Sequence, residues 1–562
     1  MEELQLRSRN TSHVIVVDVE QPADETTTKR NKSSMKESFM KFFSDWYLSL
    51  KEAREKKTTL TEKIIWLLMF ISCFTYCGFL IWKSYTKWMK SPAIVWLTDN
   101  DGFNRINEIP FPAITICPER KIRSKVFDFG HYYEVYNNES ESLNLTEQEL
   151  YMTEDMSLIC NYDHILRQGR NFSLGNETVI NIMKASVRLT EVIKKCNWQG
   201  EQRICSNIFT PILTEEGICF TFNTIGPEDL FRLENMHTDY KYMAQLNRTR
   251  NQGWTMEDGY PDYEQTFPER GSGAGAKAGL ELKLTELEEH LDNFCKGRLS
   301  GFKILLHNPC DLPRPSQQYI RIPTYADVTL SFIASMEMTS EGLEVFSPTG
   351  RQCYFAEERT LTYFRQYTQS NCEFECLTNY TYARCGCVHF SMPHGPNMAI
   401  CNVGSTDCIN KAETELATFD IDDEQRGNVT IEQAFYIAIE CNCLPACNSI
   451  AYETETTLSV LHDEDRHTFR LNWRDFDLET YKVSNIMLFF KKSQFELWIR
   501  SELYGTSDIL ASCGGLLGLF MGFSVINIIE ILYFCILSIC RRHKTAEKHP
   551  DEEELEHSKD KY

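Results

Sequence analysis

Two long apolar runs stand near opposite ends of an otherwise polar chain. The first, Ile64–Trp82, contains nineteen residues without a charge. As a helix it would rise about 28 Å, close to the roughly 30 Å hydrocarbon core of a bilayer. Trp66 and Trp82 lie near its ends, where indole rings favour the headgroup layer. The run therefore predicts a membrane-spanning helix, with a buried core helix as the alternative.

The second run, Ile509–Cys540, carries Glu530 as its single charge over thirty-two residues. It is longer than one straight span needs, so we expect it to tilt, break or extend past the bilayer. Basic residues flank the outer ends of both runs: Lys51, Arg54, Lys56, Lys57 and Lys63 before the first, and Arg541, Arg542 and Lys544 after the second. The positive-inside tendency then predicts that both termini are cytoplasmic.

The loop between the runs has the features of an extracellular domain. It holds seventeen of the 22 cysteines, from Cys117 to Cys447, and this density is typical of a disulfide framework in an oxidising compartment. Seven N-x-Ser/Thr sequences in the loop predict N-glycosylation at Asn138, Asn144, Asn171, Asn176, Asn247, Asn379 and Asn428.

Structural zinc is the cytosolic alternative for these cysteines. The pairs Cys385-Gly-Cys387 and Cys441-Asn-Cys443 have a single intervening residue, whereas common zinc sites typically have two to four. We therefore predict no metal site.

Residue patterns inside the loop predict an α+β fold. Alternating or apolar runs predict strands at Phe111–Cys117, Cys219–Asn223, Gly301–His307 and Val483–Lys491, the last leading into the second apolar run. Residues 140–200 have more helical spacing, and Gly271–Gly279 (GSGAGAKAG) predicts a flexible loop.

These patterns predict a membrane protein with two transmembrane helices and a large disulfide-rich α+β ectodomain. The predicted boundaries are a cytoplasmic segment at 1–63, a first span at 64–82, an extracellular cysteine-rich domain at 83–507, a second span at 508–540 and a cytoplasmic tail at 541–562.

Charge and motifs exclude two classes of function. A formal net charge of -22 argues against nucleic acid as a partner, because phosphate binding needs clustered Lys and Arg. The sequence contains no Gly-x-Ser-x-Gly elbow, no His-Glu-x-x-His and no phosphate loop. We therefore expect neither an enzyme nor a cofactor.

The second run is rich in glycine, unlike a simple anchor. Gly514, Gly518 and Gly522 are four residues apart, so a helix would align them on one face. Small residues on one face allow helix backbones to approach closely. Glycine can also leave helical geometry and expose a carbonyl, which is a ligand for a dehydrating cation.

Polar groups also recur every three residues in this run, at Ser524, Asn527 and Glu530. A charge at the centre of a bilayer costs about 2.5–3.5 kcal/mol on insertion scales, so such groups normally face protein or water. A water-filled path between packed copies would satisfy them, and Glu530 would concentrate cations near its inner mouth. A receptor with packing glycines is the alternative.

The ordered motifs resemble those of the epithelial sodium channel/degenerin family, and most closely its insect pickpocket branch. The resemblance covers roughly residues 60–540. Its motifs are Phe111–Cys117 (FPAITIC), Cys219–Asn223 (CFTFN), Leu306–Pro309 (LHNP), Tyr367–Cys387 and the second-span run Gly514–Glu530, which contains the Gly-x-Ser signature of the family filter.

The resemblance implies a trimer whose subunits have palm, β-ball, finger, thumb and knuckle elements above two transmembrane helices. It also implies a nested set of bridges that stiffens the thumb-like segment 353–447. The implied disulfides are Cys117–Cys219, Cys196–Cys205, Cys353–Cys447, Cys372–Cys443, Cys376–Cys441, Cys385–Cys408 and Cys387–Cys401. Cys160, Cys295 and Cys310 remain, for which we expect one bridge and one free or intermolecular thiol.

The resemblance further implies roles for residues of the second span. Gly522, Phe523 and Ser524 would form the selectivity filter, and Gly518, Asn527 and Glu530 would line the pore. Ala511 matches the degenerin position, where bulky substitution props related channels open. The family passes sodium over potassium and is blocked by amiloride-like cations.

The chain is therefore expected to be a subunit of a trimeric, voltage-independent sodium channel in the plasma membrane, gated by an extracellular stimulus. Its partners would be copies of itself or related subunits, membrane lipid and an unidentified extracellular ligand. The family's His-Gly pair before the first span is missing, because residues 1–77 contain no glycine. A non-conducting accessory subunit or a two-span receptor is therefore the alternative.

Overall fold

The computed structural model describes most of the chain between the start of the first apolar run and Gly522. The described residues are 59–90, 93–98, 104–137, 145–160, 177–237, 254–261, 267–287, 294–296, 299–419, 441–460 and 481–522, with the single positions 529 and 536. The chain divides into two compact units, one formed by 1–88 with 504–562 and the other by 89–503.

The first unit contains helix α1, Leu60–Lys90, which is longer than the predicted span 64–82. Most of its apolar side chains are exposed: Ile65, Leu68, Phe74 and Phe79 are each more than half exposed, and Cys77 is the one buried residue of the helix. A core helix would bury these groups, whereas a bilayer covers them. Within the described residues, α1 is the one helix long and apolar enough to cross a membrane.

Regular elements fill the described parts of the second unit. Its helices are α2 Phe129–Asn137, α3 Glu147–Cys160, α4 Thr178–Ala185, α5 Leu189–Val192, α6 Cys205–Ile208, α7 Pro227–Leu230, α8 Pro348–Arg351, α9 Gln369–Cys385 and α10 Thr406–Phe419. Its strands are β1 Ala93–Leu97, β2 Ala113–Pro118, β3 Ile193–Trp198, β4 Glu201–Arg203, β5 Phe209–Thr214, β6 Gly217–Phe222, β7 Leu280–Leu287, β8 Phe302–His307, β9 Ile320–Ile322, β10 Ala326–Thr339, β11 Ser449–Val460, β12 Tyr481–Phe490 and β13 Glu496–Glu502.

The strands form two sheets, as the predicted α+β class requires. The larger sheet has eight strands in the order β1-β13-β10-β12-β7-β3-β4, with β11 paired to β10. The smaller sheet has five strands in the order β5-β6-β2-β8-β9. Strand β10 is central to the larger sheet, because it pairs in parallel with β12 and β13 and antiparallel with β11.

The core between the two sheets is centred on Phe111, which is fully buried. Its ring lies edge-on to four other rings, with centroid distances of 4.8 Å to Trp198, 6.2 Å to Phe222, 5.1 Å to Phe332 and 5.3 Å to Phe490. Phe222 belongs to the smaller sheet and the other three to the larger one. Phe111 therefore contacts rings of both sheets.

Eight disulfides cross-link the second unit, and seven of them join the cysteines that the family resemblance pairs. They are Cys117–Cys219, Cys196–Cys205, Cys353–Cys447, Cys372–Cys443, Cys376–Cys441, Cys385–Cys408 and Cys387–Cys401. We call the last five the cysteine ladder; it spans residues 353–447 around helices α9 and α10. Because the cysteines at 385, 387, 441 and 443 are bridged, the zinc alternative does not hold.

The three remaining cysteines divide into one bridge and one thiol. Cys160 pairs with Cys295, while Cys310 has no disulfide partner. The Cys310 thiol is buried and donates to Oε1 of Gln366 at 2.7 Å. Its pKa is raised well above the usual value, first by burial and then by Asp311. An intermolecular bridge at Cys310 is therefore incompatible with this fold.

Two sequence expectations differ from the structure. The glycine-rich stretch Gly271–Gly279 is packed rather than a free loop: the N–H of Gly275 donates to the carbonyl of Phe490 at 3.0 Å, and a side chain at Gly279 would collide with strand β12. Composition alone missed this, because glycine serves close packing as well as flexibility. The strand that leads into the last helix is β13, not the predicted Val483–Lys491 strand, which corresponds to β12.

Truncation of the central ring should destabilise the whole second unit. We expect Phe111→Ala to lower the free energy of unfolding by about 3–5 kcal/mol, because it leaves a cavity between the two sheets. Thermal unfolding of the detergent-solubilised full chain measures this. The matched control is Phe294→Ala, because Phe294 is 38% exposed. Equal destabilisation by the two substitutions would contradict this account of the core.

Candidate functional site

The candidate site is the glycine-rich helix near the end of the described chain. Helix α11, Thr506–Met521, begins after Gly505, whose N–H donates to Oδ2 of Asp508 at 3.0 Å. This carboxylate lies in the first turn, where negative charge stabilises a helix. Of the predicted site residues, α11 contains Ala511 and Gly518, and Gly522 follows it directly. Phe523, Ser524, Asn527 and Glu530 lie outside the described residues.

One face of α11 packs against other residues of the first unit. This face consists of half-buried positions at helical spacing: Ile509, Cys513, Leu516, Leu517 and Phe520. The ring of Phe520 lies edge-on to that of Tyr76 in α1, with centroids 5.5 Å apart. Phe520 thus pairs this face of the helix with the first apolar helix.

The opposite face of α11 is exposed and made of small residues. At about 100° per residue, Ala511, Gly514, Gly515 and Gly518 lie on the side away from the packed face, and all four are exposed. A Cβ added at Gly514 or Gly515 would meet no atom within 4 Å among the described residues beyond the helix itself. Gly514 and Gly518 therefore share an exposed face, and among the described residues nothing lies against the Cβ positions of Gly514 and Gly515.

The helix ends at the first predicted filter residue. Gly522 has φ 62° and ψ 24°, which is the left-handed conformation, and its N–H donates to the carbonyl of Gly518 at 3.0 Å. A residue with a Cβ is strained there, so glycine is the residue that can end the helix in this way. The helix thus ends at Gly522, and the other residues predicted to form the filter, Phe523 and Ser524, lie outside the described residues.

Tyr504 ties the start of this segment to the end of α1. The ammonium of Lys87 donates to the Tyr504 hydroxyl at 3.1 Å, and the indole N–H of Trp88 donates to the Tyr504 carbonyl at 3.2 Å. These contacts join positions more than 400 residues apart, so sequence reasoning missed them. The one sequence feature that could have identified Tyr504 is its aromatic ring, shortly before the second apolar run.

The second unit has an exposed apolar strand. In β1 the side chains of Ile94, Val95, Trp96 and Leu97 are each between 43% and 48% exposed, so both faces of the strand are uncovered. The indole N–H of Trp96 donates to Oγ of Ser501 at 3.1 Å, which fixes the ring against β13. Contiguous exposed apolar surface of this kind marks interaction sites.

Two partly buried carboxylates have pKa values near the acid edge of the physiological range. Burial raises the pKa of Asp155 to about 6, opposed by hydrogen bonds from Asn181 and Thr178 at 2.8 Å each. Burial likewise raises the pKa of Asp311 to about 6. Their protonation states therefore respond to mild acidification.

A buried carboxylate ties the smaller sheet together. Glu216 forms ion pairs with Lys121 at 2.8 Å, Lys296 at 2.7 Å and Lys303 at 2.6 Å. Burial raises the pKa of Glu216, but Lys121 and Lys296 outweigh it and hold that pKa well below the usual range. Burial lowers the pKa of Lys121 to about 8, against the opposing effect of Glu216. Loss of Glu216 would leave buried ammonium groups unpaired, which is strongly destabilising.

One predicted glycosylation site is within the described residues. Asn379 lies half-buried on helix α9, next to the buried Tyr380 and Thr381. The other six, Asn138, Asn144, Asn171, Asn176, Asn247 and Asn428, lie outside the described residues. The described residues contain no cluster of three or more His, Cys, Asp or Glu that could hold a metal ion.

Comparison with known proteins gives consistent matches over nearly the whole chain. A family described as amiloride-sensitive sodium channel matches residues 49–534. Pickpocket protein 28 of Drosophila melanogaster is 26% identical over 94% of this chain and 83% of its own length. Acid-sensing ion channel 4-B of Danio rerio is 21% identical over 76% of this chain and 63% of its own length. The bile acid-sensitive ion channel of Mus musculus is 22% identical over 84% of this chain and 82% of its own length.

Substitution by alanine should have opposite effects on helix stability at Gly514 and at Gly522. We expect Gly514→Ala to stabilise α11 of the unassembled, detergent-solubilised chain by roughly 0.5–1 kcal/mol, because Gly514 is mid-helix and no described atom lies near its Cβ position. We expect Gly522→Ala to destabilise the helix end by about 1–2 kcal/mol, because its backbone is left-handed. Amide hydrogen exchange of residues 506–522 in the full chain measures both. Stabilisation by Gly522→Ala would contradict the left-handed helix end.

The raised pKa of Asp155 predicts a pH dependence of stability. Between pH 3.8 and about 6 the folded chain holds a proton on Asp155 that the unfolded chain has lost, so this contribution to stability falls as pH rises through that window. We expect Asp155→Asn to flatten the dependence of melting temperature on pH there by at least about 2 °C.

The control for this measurement is Asp128→Asn, at an exposed aspartate of the same unit. Melting curves of the full chain at several pH values compare the two variants with the parent chain. An Asp155→Asn profile parallel to that of the parent would show that Asp155 does not titrate in this window.

Proposed function

The chain belongs to the amiloride-sensitive sodium channel family, and from this premise we propose that it is a subunit of a trimeric, voltage-independent sodium channel gated by an extracellular stimulus. The observation that carries the proposal is the two-faced helix α11. One face packs within the first unit, and the opposite face, Ala511, Gly514, Gly515 and Gly518, is exposed in the part of the chain that the structure describes. Copies assembled through this face would enclose a narrow path.

The filter in this proposal begins where α11 ends. Gly522 turns the backbone out of the helix, so that carbonyls near it can replace the water around a sodium ion. Phe523 and Ser524 would complete the filter, and Asn527 and Glu530 would line the wider path below it. Block by amiloride-like cations follows if Glu530 and the carbonyls attract positive charge into that path.

The small side chain of Ala511 would form the gate. Ala511 lies on the uncovered face, one turn before Gly514 and Gly515. Copies that meet there can approach closely in the closed state because a methyl group occupies little space. A larger side chain at this position would hold them apart without disturbing the packed face that contacts α1.

Two features of the second unit support the proposed assembly and topology. The uncovered strand β1 offers apolar surface for contact between subunits, with Trp96 held against β13. Eight disulfides are stable in an oxidising compartment, which favours an extracellular second unit and two cytoplasmic termini at the plasma membrane. The apolar surface of α1 supplies the first membrane span.

A non-conducting accessory subunit is the second candidate. Residues 1–77 contain no glycine, so the His-Gly pair associated with the inner pore in this family is missing. Such a subunit would need a related partner for conduction, and the same exposed surfaces on α11 and β1 would serve that heteromeric assembly.

Voltage clamp of cells expressing the chain with Ala511→Val tests the proposal. We expect a sodium-selective current that depends little on voltage, because valine on the uncovered face prevents closure. The matched control is Leu510→Val, which changes a 73% exposed neighbour on the flank of the helix and should not open the channel.

The second arm of the experiment examines the filter. We expect Gly522→Ala and Ser524→Leu to abolish the current of the Ala511→Val chain without reducing its amount at the cell surface. Absence of current from well-delivered surface protein, followed by current upon co-expression of a related subunit, would favour the accessory role instead.

A further inference from the structure

Arg500 joins two segments that are far apart in sequence. Its guanidinium donates to Oε1 of Glu337 through Nε at 2.9 Å and through Nη2 at 2.6 Å. Its Nη1 donates to the carbonyls of Arg351 at 2.8 Å and Gln352 at 3.2 Å. The side chain is 11% exposed, so these bonds are shielded from water. We call this set of contacts the Arg500 clip.

The carbonyls held by the clip belong to the end of helix α8, at the base of the cysteine ladder. Gln352 has φ 64°, the left-handed conformation, and immediately precedes Cys353, which is bridged to Cys447. The fully buried Arg351 holds the same helix end, because its guanidinium pairs with Glu358 and donates to the carbonyl of Cys353 at 3.2 Å. The acceptors of the clip therefore move only when the ladder base moves.

The strand that carries Arg500 continues into the candidate pore segment. Arg500 lies in β13, six residues before the start of α11 at Thr506. Its register partner is Val95 of β1, the strand that follows α1 along the chain. Arg500 is thus on a pair of strands, β1 and β13, of which one follows α1 and the other precedes α11 along the chain.

Neighbouring contacts hold the same junction in register. The N–H of Ser340 donates to the carbonyl of Arg500 at 2.9 Å, and Oγ of Ser340 donates to Oε2 of Glu502 at 3.3 Å. Oγ1 of Thr339 donates to the carbonyl of Cys447, the ladder cysteine bridged to Cys353, at 2.6 Å. The end of β10 therefore contacts both strand β13 and the base of the cysteine ladder.

We propose that Arg500 is a positioning residue that couples movement of the cysteine ladder to the strands leading into the pore, and this proposal rests on the proposed channel function. Only a guanidinium offers a planar fork that reaches a carboxylate and two carbonyls at once; a lysine ammonium is a point donor. The bonds stabilise one arrangement of ladder and strand, so their loss shifts the balance between that arrangement and others.

Hydrogen exchange of the full-length chain in lipid nanodiscs tests the clip independently of any current. We expect Arg500→Gln to speed exchange at least fivefold both in residues 496–502 and in residues 347–354, because one guanidinium restrains both segments. The matched control is Arg365→Gln, because Arg365 also joins a carboxylate, Glu234, and a main-chain carbonyl, that of Phe231. A change confined to either Arg500 segment would overturn the proposal.

Current measurements on the Ala511→Val chain test the coupling itself. We expect Arg500→Gln to change the open fraction per surface copy at least fivefold, with unitary conductance and sodium selectivity unchanged. Arg500→Lys should act in the same direction. Glu337→Gln combined with Arg500→Gln should produce no more than the larger single effect, because both remove the same contact. An unchanged open fraction would reduce Arg500 to a sheet-stabilising residue and overturn the proposal.

The two measurements separate this proposal from the proposed function. If no variant conducts, alone or with a related subunit, the proposed function fails while the exchange data still decide whether Arg500 ties the ladder to β13. If the Ala511→Val chain conducts and Arg500→Gln leaves its open fraction unchanged, the channel function stands and the coupling role fails.

Discussion

One packing constraint underlies the proposed pore: among the described residues, one face of α11 is half-buried and contacts α1 through Phe520, and the opposite face presents small residues that are exposed. Leu516 and Phe520 lie on the packed side, while Gly514 and Gly518 lie on the opposite side. In a membrane, small residues on one helix face allow another backbone, or a water path, to lie close against that face. The left-handed backbone at Gly522 ends the helix, at the point where the path between assembled copies would be narrowest.

In the proposed channel, a rigid second unit would transmit its movements to α11. Five disulfides stiffen the cysteine ladder, and the buried Phe111 contacts rings of both sheets. In a stiff body a small displacement is transmitted rather than absorbed. The contacts of Arg500 lie where the ladder base meets the strand pair that continues into both apolar helices. In the proposed channel, the framework that stabilises the second unit would also serve gating.

The sequence predicted features that depend on local pattern, and it missed those that depend on distant contacts. The apolar run of α1 and the glycine spacing of α11 could be read directly, because each reflects a single helix. Strand β13 was missed, because its charged residues, including Arg500, interrupt the apolar pattern of a strand. Arg500 is accommodated there by its ion pair with Glu337, which is distant in sequence. The raised pKa of Asp155 likewise needs the packing of α3 on α4, which no local pattern reveals.

The most direct test of the central claim is thiol modification of open channels, in a chain that carries Ala511→Val and Cys513→Ser. The reagent is a membrane-impermeant cationic thiol reagent, applied during current recording. The account predicts that Gly518→Cys, on the uncovered face, becomes modified and loses its sodium current. It also predicts that Leu516→Cys, on the packed face, is unaffected. Modification and block at position 516 with none at 518 would contradict the account.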